Sequence, residues 1–178
     1  QRKLELFCHL LRKQRWPRVL VFARTRKRVD ELVTSLKFSQ VSSDAIHGDI
    51  PQSARLAALR RFNAGEIRVL VATDVAARGL DISTLPLVVN LDLPAGPEGY
   101  VHRIGRTARA GQAGEAISLV CADEAPLLAA IESLIGMKSP PSDAPSGERS
   151  AGSGRVRRSR LFGPTLNTAR SAPQSAAT

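Results

Sequence analysis

Hydrophobic positions follow two alternating rhythms along the first 137 residues. Leu4, Phe7, Cys8 and Leu11 recur at intervals of three and four, which predicts an amphipathic helix, and Pro17 after Trp16 stops it. Val19 to Phe22 is an unbroken apolar run of the kind a strand shows when both of its faces are buried. Thr25 is placed to cap a second helix whose stripe is Val29, Leu32, Val33 and Leu36. A second strand ends at Ile46, with His47-Gly48-Asp49 as the turn out of it. Pro51 suits the first position of a third helix with the stripe Leu56, Leu59 and Phe62, and Gly65 suits its end. Val69 to Ala72, Leu87 to Leu91 and Ala116 to Val120 read as three more strands. The segment 99 to 109 reads as a helix between the last two, and Leu127, Leu128, Ile131, Leu134 and Ile135 mark a final helix ended by Gly136.

Strands alternating with helices of this length predict an α/β fold, a parallel sheet with helices on both faces. Ligands of such a sheet bind at the carboxyl ends of its strands. The polar departures from the apolar pattern fall there: Arg24-Thr25, His47-Gly48-Asp49, Thr73-Asp74, and an arginine-rich helix after the fourth strand. Beyond Met137 the pattern dissolves into Ser, Pro, Gly, Ala and scattered Arg, so residues 1–137 are expected to be one domain and 138–178 a disordered basic tail.

Charge sharpens this division. The net charge is +10, and the body and the tail each carry half of it although the tail is under a quarter of the length. Such a distribution favours a polyanionic partner, nucleic acid ahead of membrane. Cys8 and Cys121 stand apart in apolar patterns without metal-ligand spacing, as expected for core residues of a reduced cytoplasmic protein. Neither a signal peptide nor a bilayer-length apolar run is evident. The first residue, Gln1, suits a piece of a longer chain.

The candidate chemistry centres on YVHRIGRTARAG, residues 100–111. On a helix, His102, Arg106 and Arg109 share one face, while Arg103 points off it and is expected to tolerate alanine far better than the other arginines. Neighbouring cations repel, so folding alone does not favour the arrangement, whereas paired guanidiniums match the oxygens of a polyphosphate. A merely solvated charged face is the other reading of the same pattern.

That stretch, preceded by VLVFARTR (19–26), IHGDIPQSAR (46–55) and ATDVAARGLDI (72–82), resembles the C-terminal RecA-like domain of a DEAD-box RNA helicase, within it the bacterial RhlE-like subgroup. The resemblance covers roughly residues 1–137 and implies a RecA-like sheet. It implies that Gly79 and Asp81 contact the ATP ribose, that Thr25, Gly48, Arg55 and Thr73 contact the RNA backbone, and that His102 couples nucleotide and RNA sites across a domain interface. Arg106 and Arg109 match the family's arginine fingers and so its catalytic pair. Each has a plainer alternative: a cap or turn for Asp81, a strand-end hydroxyl for Thr73, a solvated charge for Arg55, a positive-φ turn for Gly48. Ala108 stands where the family usually has Gly; in a helix alanine is harmless there.

No GxxxxGK[ST] phosphate loop and no DEAD-type acidic box occurs in the 178 residues. In the family these belong to a preceding RecA-like domain, which holds most of the Mg²⁺ coordination. The resemblance therefore implies half of an ATP-dependent RNA helicase, inactive by itself, with ATP as its nucleotide and with RNA and the N-terminal domain as partners. No metal site is expected in this chain and no membrane partner. A RecQ-type DNA helicase is the rival within the enzymes, and a stand-alone basic RNA-binding or adaptor module is the rival outside them.

Overall fold

A computed structural model describes residues 2–14, 16–78, 80, 82, 85–107, 114–136, 141–142 and 155–161. Helix α1 (Arg2–Lys13) is followed by β1 (Val19–Phe22), α2 (Arg26–Phe38), β2 (Ser43–Ile46), α3 (Gln52–Asn63) and β3 (Val69–Ala72). A four-residue helix α4 (Asp74–Ala77) leads to β4 (Leu87–Asn90), α5 (Pro97–Ile104), β5 (Gly114–Val120) and α6 (Ala125–Ile135). The strand order is β2-β3-β1-β4-β5, and all of these neighbours are parallel. This is the expected α/β sheet, with β1 at its centre.

Strand parity distributes the side chains to two faces. Val19 and Val21 join Val69, Val71, Leu87 and Val89 against α1 and α2, while Leu20 and Phe22 join Leu70, Ala72 and Val88 against α3. A third cluster sets Tyr100 and Ile104 of α5 against Leu128 and Ile131 of α6 and Ala116 of β5. The α2 stripe Val29, Leu32, Val33 and Leu36 is buried as read from the sequence. Gly136 ends α6 at φ +66 and Gly65 follows α3 at φ +78, both left-handed positions that a side chain strains.

Four expectations are corrected. Pro51 is the cap residue before α3 rather than its first residue, and Leu56 stands exposed, so α3 buries Ala58, Leu59 and Phe62 instead. Cys8 and Cys121 are partly exposed rather than core residues; burial still pushes the Cys8 thiol up, with Arg12 opposing. Helix α5 closes at Ile104 instead of running to 109, because the chain bends at Gly105 and Thr107 bridges in parallel to Leu85, its hydroxyl donating to the Leu85 carbonyl. Arg106 therefore lies beyond the helix. Ala108 and Arg109 lie outside the described residues.

The fourth concerns the tail. Arg155–Leu161 forms a strand, β7, antiparallel to β5, and Pro141–Ser142 forms β6 beside it. A parallel sheet leaves the outer side of its last strand with unpaired N–H and C=O groups, and a segment that is mostly arginine still satisfies them. The expectation of a structureless tail thus fails over these two segments. The rest of 138–178 is outside the described residues.

Candidate nucleotide and nucleic-acid site

The carboxyl ends of the strands assemble the site. After β1, Thr25 caps α2, its hydroxyl oxygen accepting from the Arg28 amide at 3.3 Å. The same hydroxyl keeps its own hydrogen to donate. After β2, Gly48 lies exposed in the turn; its φ is not left-handed, and a Cβ there would meet nothing within 4 Å. The positive-φ explanation for this glycine is therefore set aside.

Arg55, in the first turns of α3, reaches across to α4 rather than into solvent. Its Nη2 donates to the Ala76 carbonyl at 3.0 Å, and its Nε is buried without a hydrogen-bond partner. Thr73 follows β3 and is 9% exposed; its carbonyl accepts from Ala77, so the residue starts α4 through its backbone while its side chain makes no cap bond.

A cleft of about 320 Å³ lies beside α4 and α5, lined among others by Ala77, Arg78, Gly96, His102 and Arg106. His102 is exposed on α5. Arg106 donates from Nη1 to the Leu80 carbonyl at 3.1 Å. The cleft thus brings His102 and Arg106 together with Arg78, a cation that motif reading passed over. Gly79, Asp81 and Arg109 lie outside the described residues.

Arg103 overturns an expectation. Helical spacing sets it off the His102, Arg106 and Arg109 face, which suggested a dispensable surface charge. Instead it is 2% exposed, among the most buried side chains described. Its Nε and Nη2 hold the two carboxylate oxygens of Asp74 at 2.6 and 2.7 Å, and its Nη1 donates to Asn90 Oδ1 at 2.9 Å and to the Asp92 carbonyl at 2.7 Å. The guanidinium also lies 4.9 Å from the centre of the Phe22 ring. The sequence did carry the signal: Tyr100, Arg103 and Ile104 are spaced as a buried helix face.

A second network has no signature in the sequence. Asp92 accepts from the Arg24 amide at 3.1 Å and from Arg28 Nε at 3.0 Å, and Lys3, itself buried, bonds Glu124 at 2.6 Å. It ties α1 and the start of α2 to the ends of β4 and β5. On the other flank, Asp30 pairs with His47 Nε2 at 3.0 Å and Arg26 pairs with Asp49, which fixes the turn holding Gly48.

Residues 2–111 match the family described as the helicase conserved C-terminal domain. The chain is 49% identical over 132 residues to the DEAD-box ATP-dependent RNA helicase CshA of Bacillus subtilis, covering 74% of this chain and 27% of that protein. It is similar in structure to the Escherichia coli DEAD-box protein SrmB, crystallised bound to the regulator of ribonuclease activity A: TM-score 0.72, 41% identity, 82% of this chain and 91% of that one. A DEAD-box protein from Methanococcus jannaschii gives TM-score 0.71 at 42% identity, over 76% of this chain and 37% of that one. The chain belongs to the DEAD-box helicase C-terminal domain family. Its sheet is accordingly RecA-like. It spans about a quarter of the length of the curated relatives it matches.

Set in a DEAD-box domain, the strand-end residues divide into two groups. Thr25, Gly48, Arg55 and Thr73 follow β1, β2 and β3, on one half of the sheet edge. His102 and Arg106 follow β4, on the other half. The segment 73–80 runs between them.

Proposed function

We propose that this chain is the C-terminal half of an ATP-dependent RNA helicase, which closes on an N-terminal RecA-like domain, hydrolyses ATP between the two and opens short RNA duplexes locally. The observation that carries the reading is the pair of guanidiniums, Arg78 and Arg106, set beside His102 in the α5 cleft, which Asp74 and Glu98 also line. Guanidiniums presented at one wall suit a triphosphate that a second domain holds from the other side.

Arg106 and Arg109 serve as the fingers. Gly79 and Asp81 take the ribose, and His102 couples the two domains. Thr25, Gly48, Arg55 and Thr73 grip RNA phosphates, which fixes strand position without reading bases. The buried, unpartnered Nε of Arg55 supports this, since such a donor is costly unless an acceptor arrives. Magnesium neutralises phosphate charge when bound. As the resemblance implies, acids of the N-terminal domain would hold most of it; in this domain Asp74 already accepts two hydrogen bonds from Arg103. The protein acts in the cytoplasm.

The curated relatives are of the CshA type; placement in the RhlE-like subgroup rests on the wording of the motifs alone. A second reading, a basic RNA-binding or adaptor module without ATPase activity, draws on strand β7, four of whose seven residues are arginine. The deciding experiment is steady-state ATPase, with and without single-stranded RNA, on the full-length protein and on this chain. The enzyme reading expects RNA-stimulated turnover from the full-length protein and none from this chain alone. RNA binding without turnover by the full-length protein would establish the module instead.

A further inference from the structure

Between Thr73, on the RNA side, and Arg106, on the phosphate side, runs the segment 73–80. Its helix α4 has four residues, far too few to hold itself by backbone bonds. Ala76, Ala77 and Leu80 anchor it in the core. Three arginines from neighbouring elements then grip its polar groups. Arg55 of α3 donates to Ala76 O, Arg103 of α5 takes both oxygens of Asp74, and Arg106 donates to Leu80 O.

Arg103 differs from the other two in having no exposed role. A guanidinium carries five N–H donors, and four hydrogen bonds are made here, to three residues on two segments. Asn90 and the Asp92 carbonyl belong to the end of β4, and Phe22, under the guanidinium, to the end of β1. Asp74 directly follows Thr73, and Arg103 directly follows His102. A displacement of α5 toward a phosphate therefore pulls on Asp74 and through it on Thr73.

We propose that Arg103 is a positioning residue that links the phosphate-facing side chains His102 and Arg106 to the RNA-facing Thr73 through its two-pronged grip on Asp74. This rests on the functional reading above and adds a route for communication within the domain, where His102 was assigned communication between domains. The fork matters as well as the charge. A lysine keeps the positive charge but presents a point donor that cannot hold both carboxylate oxygens in one plane while also reaching Asn90 and Asp92. Phosphate oxygens that compete for Arg106 would release Leu80 O, so nucleotide acts on the far end of the same segment.

Coupling between two ligands is reciprocal, so it is measured in both directions. The full-length two-domain protein is titrated with fluorescent single-stranded RNA, with and without a non-hydrolysable ATP analogue and Mg²⁺, and with the analogue, with and without RNA. Arg103→Lys and Asp74→Asn are compared with wild type, each checked by thermal melt. Asp74→Asn is the gentler variant, since its site is 36% exposed and asparagine preserves the shape. Wild type is expected to show coupling of about 5- to 150-fold, the usual range. In both variants it falls toward unity in both directions and kcat falls with it, while the affinity for each ligand alone changes less than about threefold.

Should Arg103→Lys fail to fold, Asp74→Asn carries the same expectation. Wild-type coupling in a folded Asp74→Asn or Arg103→Lys protein overturns the positioning role and leaves the helicase reading standing. Absence of any coupling and any RNA-stimulated turnover in wild type overturns both.

Discussion

Replacing Arg103 by alanine puts the structure at greatest risk. The change strands two acceptors in the interior, Oδ1 of Asn90, whose residue is 0% exposed, and the carbonyl of Asp92, whose residue is 7% exposed. A buried acceptor left without a donor costs about 1–3 kcal/mol. Loss of the cation from the Phe22 face adds about 0.5–2 kcal/mol. Asp74 is discounted because its side chain is 36% exposed, so water replaces the missing partner at little cost. These contributions span about 2.5–8 kcal/mol, and the cost of removing one member of a buried ion pair, about 3–5 kcal/mol, falls inside that span and is the figure used below.

At about 2–4 °C per kcal/mol for a domain of this size, Arg103→Ala should lower Tm by about 6–20 °C. The assay is thermal unfolding of this chain by circular dichroism, with Arg60→Ala as an exposed control that should shift stability by no more than about 0.5 kcal/mol. Arg103→Met separates filling from bonding, because it restores much of the stem but neither acceptor's donor. A Tm loss under about 3 °C for Arg103→Ala, or full stability of Arg103→Met, would refute the claim that these bonds hold the site together.

The other expectations concern the proposed activity. Arg106→Ala and Arg109→Ala in the full-length protein should each lower kcat by about 10³- to 10⁵-fold with little change in ATP affinity, as for groups that act mainly in the transition state; a raised KM at normal kcat would make them ground-state clamps. Arg55→Ala and Thr73→Val should weaken RNA binding alike for unrelated sequences, measured by fluorescence anisotropy, and a sequence-selective loss would contradict contact with phosphate. Deleting residues 138–178 removes the five excess positive charges of the tail and should flatten the plot of log K against log salt, by a slope of about 0.7 for each phosphate the tail no longer neutralises. An unchanged slope would make the tail a bystander.

Much of the fold was legible because the buried strands are short, wholly apolar and separated by helices with clear stripes. Val19–Phe22 and Val69–Ala72 have no other reasonable reading than strands covered on both faces, and the structure gives both with those bounds. Where the pattern misled, a local apolar count stood in for geometry. Leu56 fits the α3 stripe by spacing, yet Ala58, Leu59 and Phe62 fill the contact and leave it 44% exposed. Strand β7 was illegible for a different reason. Arg-Val-Arg-Arg-Ser-Arg-Leu lacks the apolar alternation of a half-buried strand, and its place comes from the open edge of β5, a property of the sheet rather than of the segment.

In the site, what the sequence offered was a set of exposed chemical groups, and what it hid was the support beneath. His102 and Arg106 could be named from motif wording, but extending α5 through Arg109 placed Arg103 on the wrong side of importance. Once the helix stops at Ile104, Tyr100, Arg103 and Ile104 form its buried face, and an arginine on a buried face must find acceptors. Asp74, Asn90 and the Asp92 carbonyl supply them from the ends of β3 and β4, positions that no spacing along the chain connects. The same guanidinium that satisfies these acceptors fixes where α4 begins. Any phosphate drawn to His102 and Arg106 therefore meets side chains whose backbone is bolted to the residue next to Thr73, which is why a change as small as Asp74→Asn is predicted to affect a ligand it does not touch.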